Sequence, residues 1–133
     1  MTDRDVVLAE ILDRHLVAMD AFHSGDPDPS RALWSDDEPV TLFAPGRPMA
    51  IGRGEVVRTF ERAAARLSDG RDGRFEVHHV EVAGDLGVLA GVEHSVFSVE
   101  GGPPQAQSLR VTLVYRREDG AWRLAHRHAG VEP

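Results

Sequence analysis

There is no cysteine among the 133 residues, which excludes a disulfide framework, a thiol nucleophile and a thiolate metal centre. Positive charge is short as well: a formal net charge of −7 argues against non-specific nucleic-acid binding, which needs a basic footprint. No apolar run approaches the ~18 residues of a membrane span. The start, MTDRDVVLAEIL, lacks the basic region and long apolar stretch of a signal peptide, so a cytoplasmic protein is expected. Walker-type phosphate loops, dinucleotide glycine patterns and Gly-x-Ser-x-Gly elbows are missing, as are repeats, low-complexity tracts and linkers. What remains is a single domain over residues 1–133, long enough for one hydrophobic core.

The most informative stretch is Ser108 to Ala129, SLRVTLVYRREDGAWRLAHRHA. Two alternating runs flank Asp119-Gly120, a dipeptide suited to a type I′ turn because both central residues need positive φ. A hairpin centred there pairs Glu118 with Ala121, Arg116 with Arg123, Leu113 with His126 and Val111 with His128. Strand alternation then gives two unlike faces. One carries Leu109, Val111, Leu113, Tyr115, Trp122, Leu124, His126 and His128; the other is a ladder of Arg110, Arg116, Arg123 and Arg127 with Thr112, Val114, Ala125 and Ala129. A one-residue slip would exchange the two sets.

Upstream, Thr2 is a candidate cap for a helix whose stripe is Leu8, Ile11, Leu12, His15, Met19 and Phe22, ended by Gly25. His15 lies within this stripe and His23 at its end. DPDPSRALW reads as a short second helix with Asp28 as N-cap and Pro29 at the first helical position; Trp34 should plug the core. Glu38 to Phe43 is a short strand, with Met49 to Ile51 a further extended piece. Glu55 to Leu67 is a third helix buried along Val56, Phe60, Ala63 and Leu67, closed by the turn-like SDGRDG. Two more strands, FEVHHVEVAG and LGVLAGVEHSVFSVEG, precede the final hairpin. Helices first and strands last predict an α+β fold, with three helices on the concave face of a strongly curved, mainly antiparallel sheet.

That order, ending in YRREDGAWRLAHRHAG and containing WSDDEPVTLFAPG followed by IGRGEVVRTFERAAARL, resembles the SnoaL-like, nuclear-transport-factor-2-like cone-shaped α+β barrel. The resemblance covers nearly the whole chain. The ending is also similar to the association domain of calcium/calmodulin-dependent kinase. The family includes ketosteroid isomerase, polyketide cyclases, limonene epoxide hydrolase, scytalone dehydratase and many proteins without known activity. The resemblance implies a pocket inside the curled sheet and a homodimer through its outer face, with the Trp122–Leu124–His126–His128 face concave. The family's best-understood enzymes place an inward carboxylate in the cavity as a base. VTLFAPG is uncharged where such an acid would stand.

Several side chains are candidates for a site. His126 and His128 share a face and are the candidate catalytic pair, as acid/base groups or hydrogen-bond donors; the alternative is semi-buried packing. The pocket's other expected members are Tyr115, His94 and His15 as polar companions and Trp34, Phe43, Leu113 and Trp122 as apolar lining. With the GGPP loop setting the register, His94 faces inward beside Val111. Glu93 then faces out over Thr112, near Arg110 and Arg127, as a salt-bridge partner; a slip of one residue reverses this. His78 and His79 point to opposite faces, so at most one looks inward. Asp36 and Asp37 precede a strand and read as turn residues. The histidines lack third and fourth metal ligands of suitable direction, so no metal or other cofactor is expected. Three readings stay open: an isomerase, cyclase or dehydratase using pocket histidines, a non-catalytic binder of a small hydrophobic or amphipathic molecule, and a structural dimer or hub.

Overall fold

The computed structural model describes residues 3–133 of the chain; the expected cap at Thr2 lies outside them. The first helix, α1 (Asp3–His23), buries Ile11, His15, Ala18, Met19 and His23, a stripe at helical spacing that runs its whole C-terminal half. It ends in a Schellman arrangement around Gly25, whose φ is +97°. The Asp26 N–H donates to the Ala21 carbonyl and the Gly25 N–H to that of Phe22, so two orphan carbonyls are satisfied. The second helix, α2 (Asp28–Leu33), begins one residue earlier than expected: Pro27 holds the N-cap position. Asp26 accepts the Asp28 N–H at 3.0 Å instead.

Two short strands follow, β1 (Thr41–Phe43) and β2 (Ala50–Ile51), and then α3 (Arg53–Ala64). The N-terminus of α3 is capped from a distance. Glu38 accepts the N–H of Arg53 at 2.8 Å and that of Val40 at 3.1 Å, which ties the helix to the start of β1 and places a carboxylate where the helix dipole favours one. The long strands are β3 (Leu67–Ala83), β4 (Leu86–Val99), β5 (Gln105–Glu118) and β6 (Ala121–Val131). They form one six-stranded sheet in the order β2-β1-β6-β5-β4-β3, antiparallel except where β1 lies parallel to β6. The sheet curls around the helices as the α+β reading expects.

One expectation is corrected at SDGRDG. The segment is part of β3, interrupted by two bulges, with Asp69 and Asp72 at φ of 57° and 58°. The glycine after each presses on α1: a Cβ at Gly70 would lie 2.5 Å from the His23 Cβ, and one at Gly73 2.4 Å from Asp20 Oδ1. Asp-Gly can make a bulge as readily as a turn. Here the bulges bend β3 around the helix.

The second correction decides the site. The final hairpin has the expected register from Glu118↔Ala121 through Arg116↔Arg123 to Tyr115↔Leu124, and then shifts: Val114 faces His126, Leu113 faces Arg127 and Thr112 faces His128. Ala125 is the extra residue. Beyond it every side chain changes face.

The core gathers Ile11, Trp34, Val40, Leu42, Val56, Leu89, Leu113, Tyr115, Trp122 and Leu124. Trp34, 1% exposed, bridges α2 to β6 beside Leu124.

Candidate functional site

Between the three helices and the concave sheet lies a cavity of about 300 Å³. Its walls are largely apolar, with Met19, Phe22, Leu33, Trp34, Phe60, Phe97 and Leu124 among them; Glu93, Arg127, His15 and His23 supply polarity.

Glu93 faces inward because β4 pairs Glu93 with Leu109 and His94 with Ser108. This reverses the faces expected of Glu93 and His94. Arg127 faces inward because of the Ala125 bulge. The two meet through a bidentate pair, Arg127 Nη1 to Glu93 Oε2 and Nη2 to Oε1, both at 2.7 Å. His15 approaches from α1, its Nε2 2.6 Å from Glu93 Oε2. Burial alone would push the Glu93 carboxyl up; the Arg127 guanidinium and His15 outweigh it and hold it well below the usual carboxylate range. Glu93 is therefore an ionised acceptor whose oxygens are both engaged. A carboxylate accepts only, so His15 must donate its Nε2–H. In the neutral ring the lone pair is then left on Nδ1, which has no partner among the described residues. A carboxylate fixing the tautomer of a histidine whose other nitrogen is free is the arrangement of a general base.

His23, two helical turns further along α1, is stacked on Phe97 at 4.4 Å between centroids. Burial lowers its pKa to about 4, with Glu93 opposing and Arg127 assisting, so it stays neutral at pH 7. Tyr115 is buried under the site with its hydroxyl unpartnered among the described residues, and burial pushes that hydroxyl up.

The expected site is thus partly dispersed. His15 and Trp34 line the cavity. Tyr115, Leu113 and Trp122 are on the inner face but belong to the adjoining core. His126 and His128 are corrected to the outer face, where Phe43 packs its ring at 5.1 Å and 5.2 Å from theirs and Thr41 Oγ1 lies 2.7 Å from His126 Nδ1. Burial and the neighbouring His128 lower the His126 pKa against the bond to Thr41. His94 is outside as well, between Ser108 at 2.7 Å and Glu76 at 3.1 Å. His78 and His79 are both exposed, since a further bulge falls between Val77 and His79. Sequence reasoning missed Glu93, Arg127 and His23 as cavity groups. For the first two the available signal was their charge complementarity, which is independent of face.

Among the described residues no cluster of three His, Asp or Glu could hold a metal ion, and no helix is long and apolar enough to cross a membrane. All 15 Lys and Arg positions are arginine, so no lysine amine is present for Schiff-base chemistry.

This architecture, a helix-capped cavity in a curled sheet, is that of a nuclear-transport-factor-2-like cone. The profile of the SnoaL-like domain matches residues 14–131, and the chain belongs to that family. Comparison with curated proteins finds no match. Among solved structures, it is similar to a candidate dehydratase of the nuclear-transport-factor-2-like family from Streptomyces avermitilis, with 26% identity, a TM-score of 0.78, and 97% of this chain and 98% of that one covered. A ketosteroid isomerase-like protein from Erwinia carotovora atroseptica gives 19% identity and a TM-score of 0.78, with 98% of each chain covered. A candidate calcium/calmodulin-dependent protein kinase type II association domain from Thiobacillus denitrificans gives 22%, a TM-score of 0.71 and 91% of each chain. The last two share the fold.

Proposed function

We propose that the cavity binds a small, mostly apolar molecule and that His15, oriented by Glu93, removes a proton next to a carbonyl during dehydration or double-bond isomerisation. The observation that carries this reading is the buried Arg127–Glu93–His15 chain, which ends on a residue that lines the cavity and whose buried Nδ1 has no partner among the described residues. A volume of about 300 Å³ sits at the small end of ligand pockets, which favours a compact substrate. The dehydratase name of one similar structure supports the same class. Cytoplasmic location and a homodimer through the outer sheet face complete the proposal.

A binding module without turnover is the second reading. Its specific support is the Glu93 carboxylate itself, which both partners hold ionised and occupied and which therefore does not serve as the base.

The test is turnover of a panel of aryl β-hydroxyketones and β,γ-unsaturated ketones, followed by conjugated-enone absorbance. His15→Ala should lower the rate by ~10²–10⁴, the usual loss on removing a general base. His126→Ala and His128→Ala should stay near wild type. Binding with no turnover across the panel would favour the second reading. A rate unaffected by His15→Ala would sink the proposed role of that residue.

A further inference from the structure

Among the described residues two exposed ones line the cavity, and both are arginines. Arg47 comes from the loop between β1 and β2, Arg66 from the turn between α3 and β3; every other lining residue is buried or half-buried. Arg47 has no acidic side chain within ion-pair distance among the described residues. Arg66 is held through Nε by Glu100 at 2.6 Å, which leaves its two Nη groups without acceptors among them. Glu100 itself does not line the cavity. The charges deeper in are already matched, Glu93 by Arg127. The opening therefore carries one unmatched guanidinium, Arg47, and a second, Arg66, whose Nη donors remain available beside Glu100, in a chain of net charge −7, while the walls behind it are apolar.

We propose that the ligand of this cavity is an amphipathic carboxylate, with its apolar body inside and its anionic group on Arg47 and Arg66 at the opening. A guanidinium presents paired donors that match a carboxylate's two oxygens, and its partial exposure leaves those donors free to be used. An apolar molecule with no charge would fill the walls and leave both arginines idle. A more polar anion would lose the walls. The inference rests on reading the cavity as a ligand site, and it adds the chemical class of the molecule that enters.

The test compares phenylpropionate with phenylpropionamide, equal in shape and different in charge, by NMR titration of the full chain at low ionic strength. The acid should bind about tenfold more tightly than the amide, and the preference should shrink as salt is added. Arg47→Gln and Arg66→Gln should each reduce it several-fold, and the double variant should bring it close to one, while amide affinity stays unchanged. Glu100→Gln, which frees Arg66, should increase it, which a purely structural Arg66 would not do. Equal binding of acid and amide by the wild type, or a preference that survives the double variant, overturns the carboxylate inference and leaves the cavity reading intact. Binding of neither probe overturns both.

Discussion

Glu93 and Arg127 meet through two hydrogen bonds of 2.7 Å although their strands are not neighbours: β5 lies between β4 and β6. Next-nearest strands lie about 10 Å apart, and the long Arg127 side chain spans that gap from the same face as Glu93. With Glu93 4% exposed, the pair is a desolvated ion pair, and such pairs cost most when half is removed.

Arg127→Met should therefore destabilise the chain by roughly 3–5 kcal/mol, whereas Glu93→Leu with Arg127→Met should cost much less than the two single changes added together. Chemical denaturation at neutral pH checks this; additive costs would contradict it. Acid gives a second readout. The folded carboxyl of Glu93 lies below its unfolded value, so the unfolded chain takes up the proton first as pH falls. The stabilisation is complete above the unfolded pKa of ~4.3 and is lost below it, toward the folded value. Glu93→Gln should flatten the acid limb of the stability curve there.

Much of the fold was legible, and the reason it failed in places is physical. Positive φ at Asp-Gly serves either a two-residue turn or a bulge. At Asp119-Gly120 it makes the expected turn, with φ of 50° and 78°; at Asp69 and Asp72 the same dipeptide bulges a continuous strand. What decides is the neighbour. Gly70 and Gly73 lie against α1, a contact between elements that no local pattern contains. Ala125 is harder still, because its bulge requires no glycine and leaves no mark in the run WRLAHRHA. The helix stripe did announce His15, whose periodicity is local. Trp34 was legible for its bulk.

His23 should make stability pH-dependent in a different window. Burial holds its pKa at about 4 against an ordinary value of 6.5, so between those values the unfolded chain binds the extra proton. Its contribution is fully present above pH 6.5 and falls away toward pH 4, by up to ~3 kcal/mol. His23→Phe, which keeps a ring against Phe97, should remove that slope. Equal slopes between pH 6.5 and 4 in both proteins would mean that His23 charges without cost.

The outer face of β4, β5 and β6 presents Val88, Val92 and Val114, half-buried, among His94, Arg110 and His128. Half-buried valines on an otherwise uncovered sheet face are the kind of surface that the proposed two-fold dimer would bury. Sedimentation at micromolar concentration should give about twice the chain mass of 14.6 kDa. Thr112→Glu and Val114→Glu, which add like charges across such an axis, should shift it to the monomer. A monomeric wild type would end this proposal, and a larger ring would point to a hub assembly instead.

Deletion of Ala125 asks the most direct question of the architecture. Ala125 is the extra residue between the Tyr115↔Leu124 and Val114↔His126 pairs. Without it, simple alternation from inward Leu124 puts His126 outward, Arg127 inward and His128 outward, the faces they already have. The Glu93–Arg127 pair should therefore survive the deletion. The melting temperature should fall by only a few degrees, and the acid limb of the stability curve set by Glu93 should be unchanged. A fall of ~10 °C or more, with each kcal/mol worth about 3 °C in a domain of this size, together with a flattened acid limb would show that the bend of the bulge, and not the count of residues along β6, holds Arg127 against Glu93.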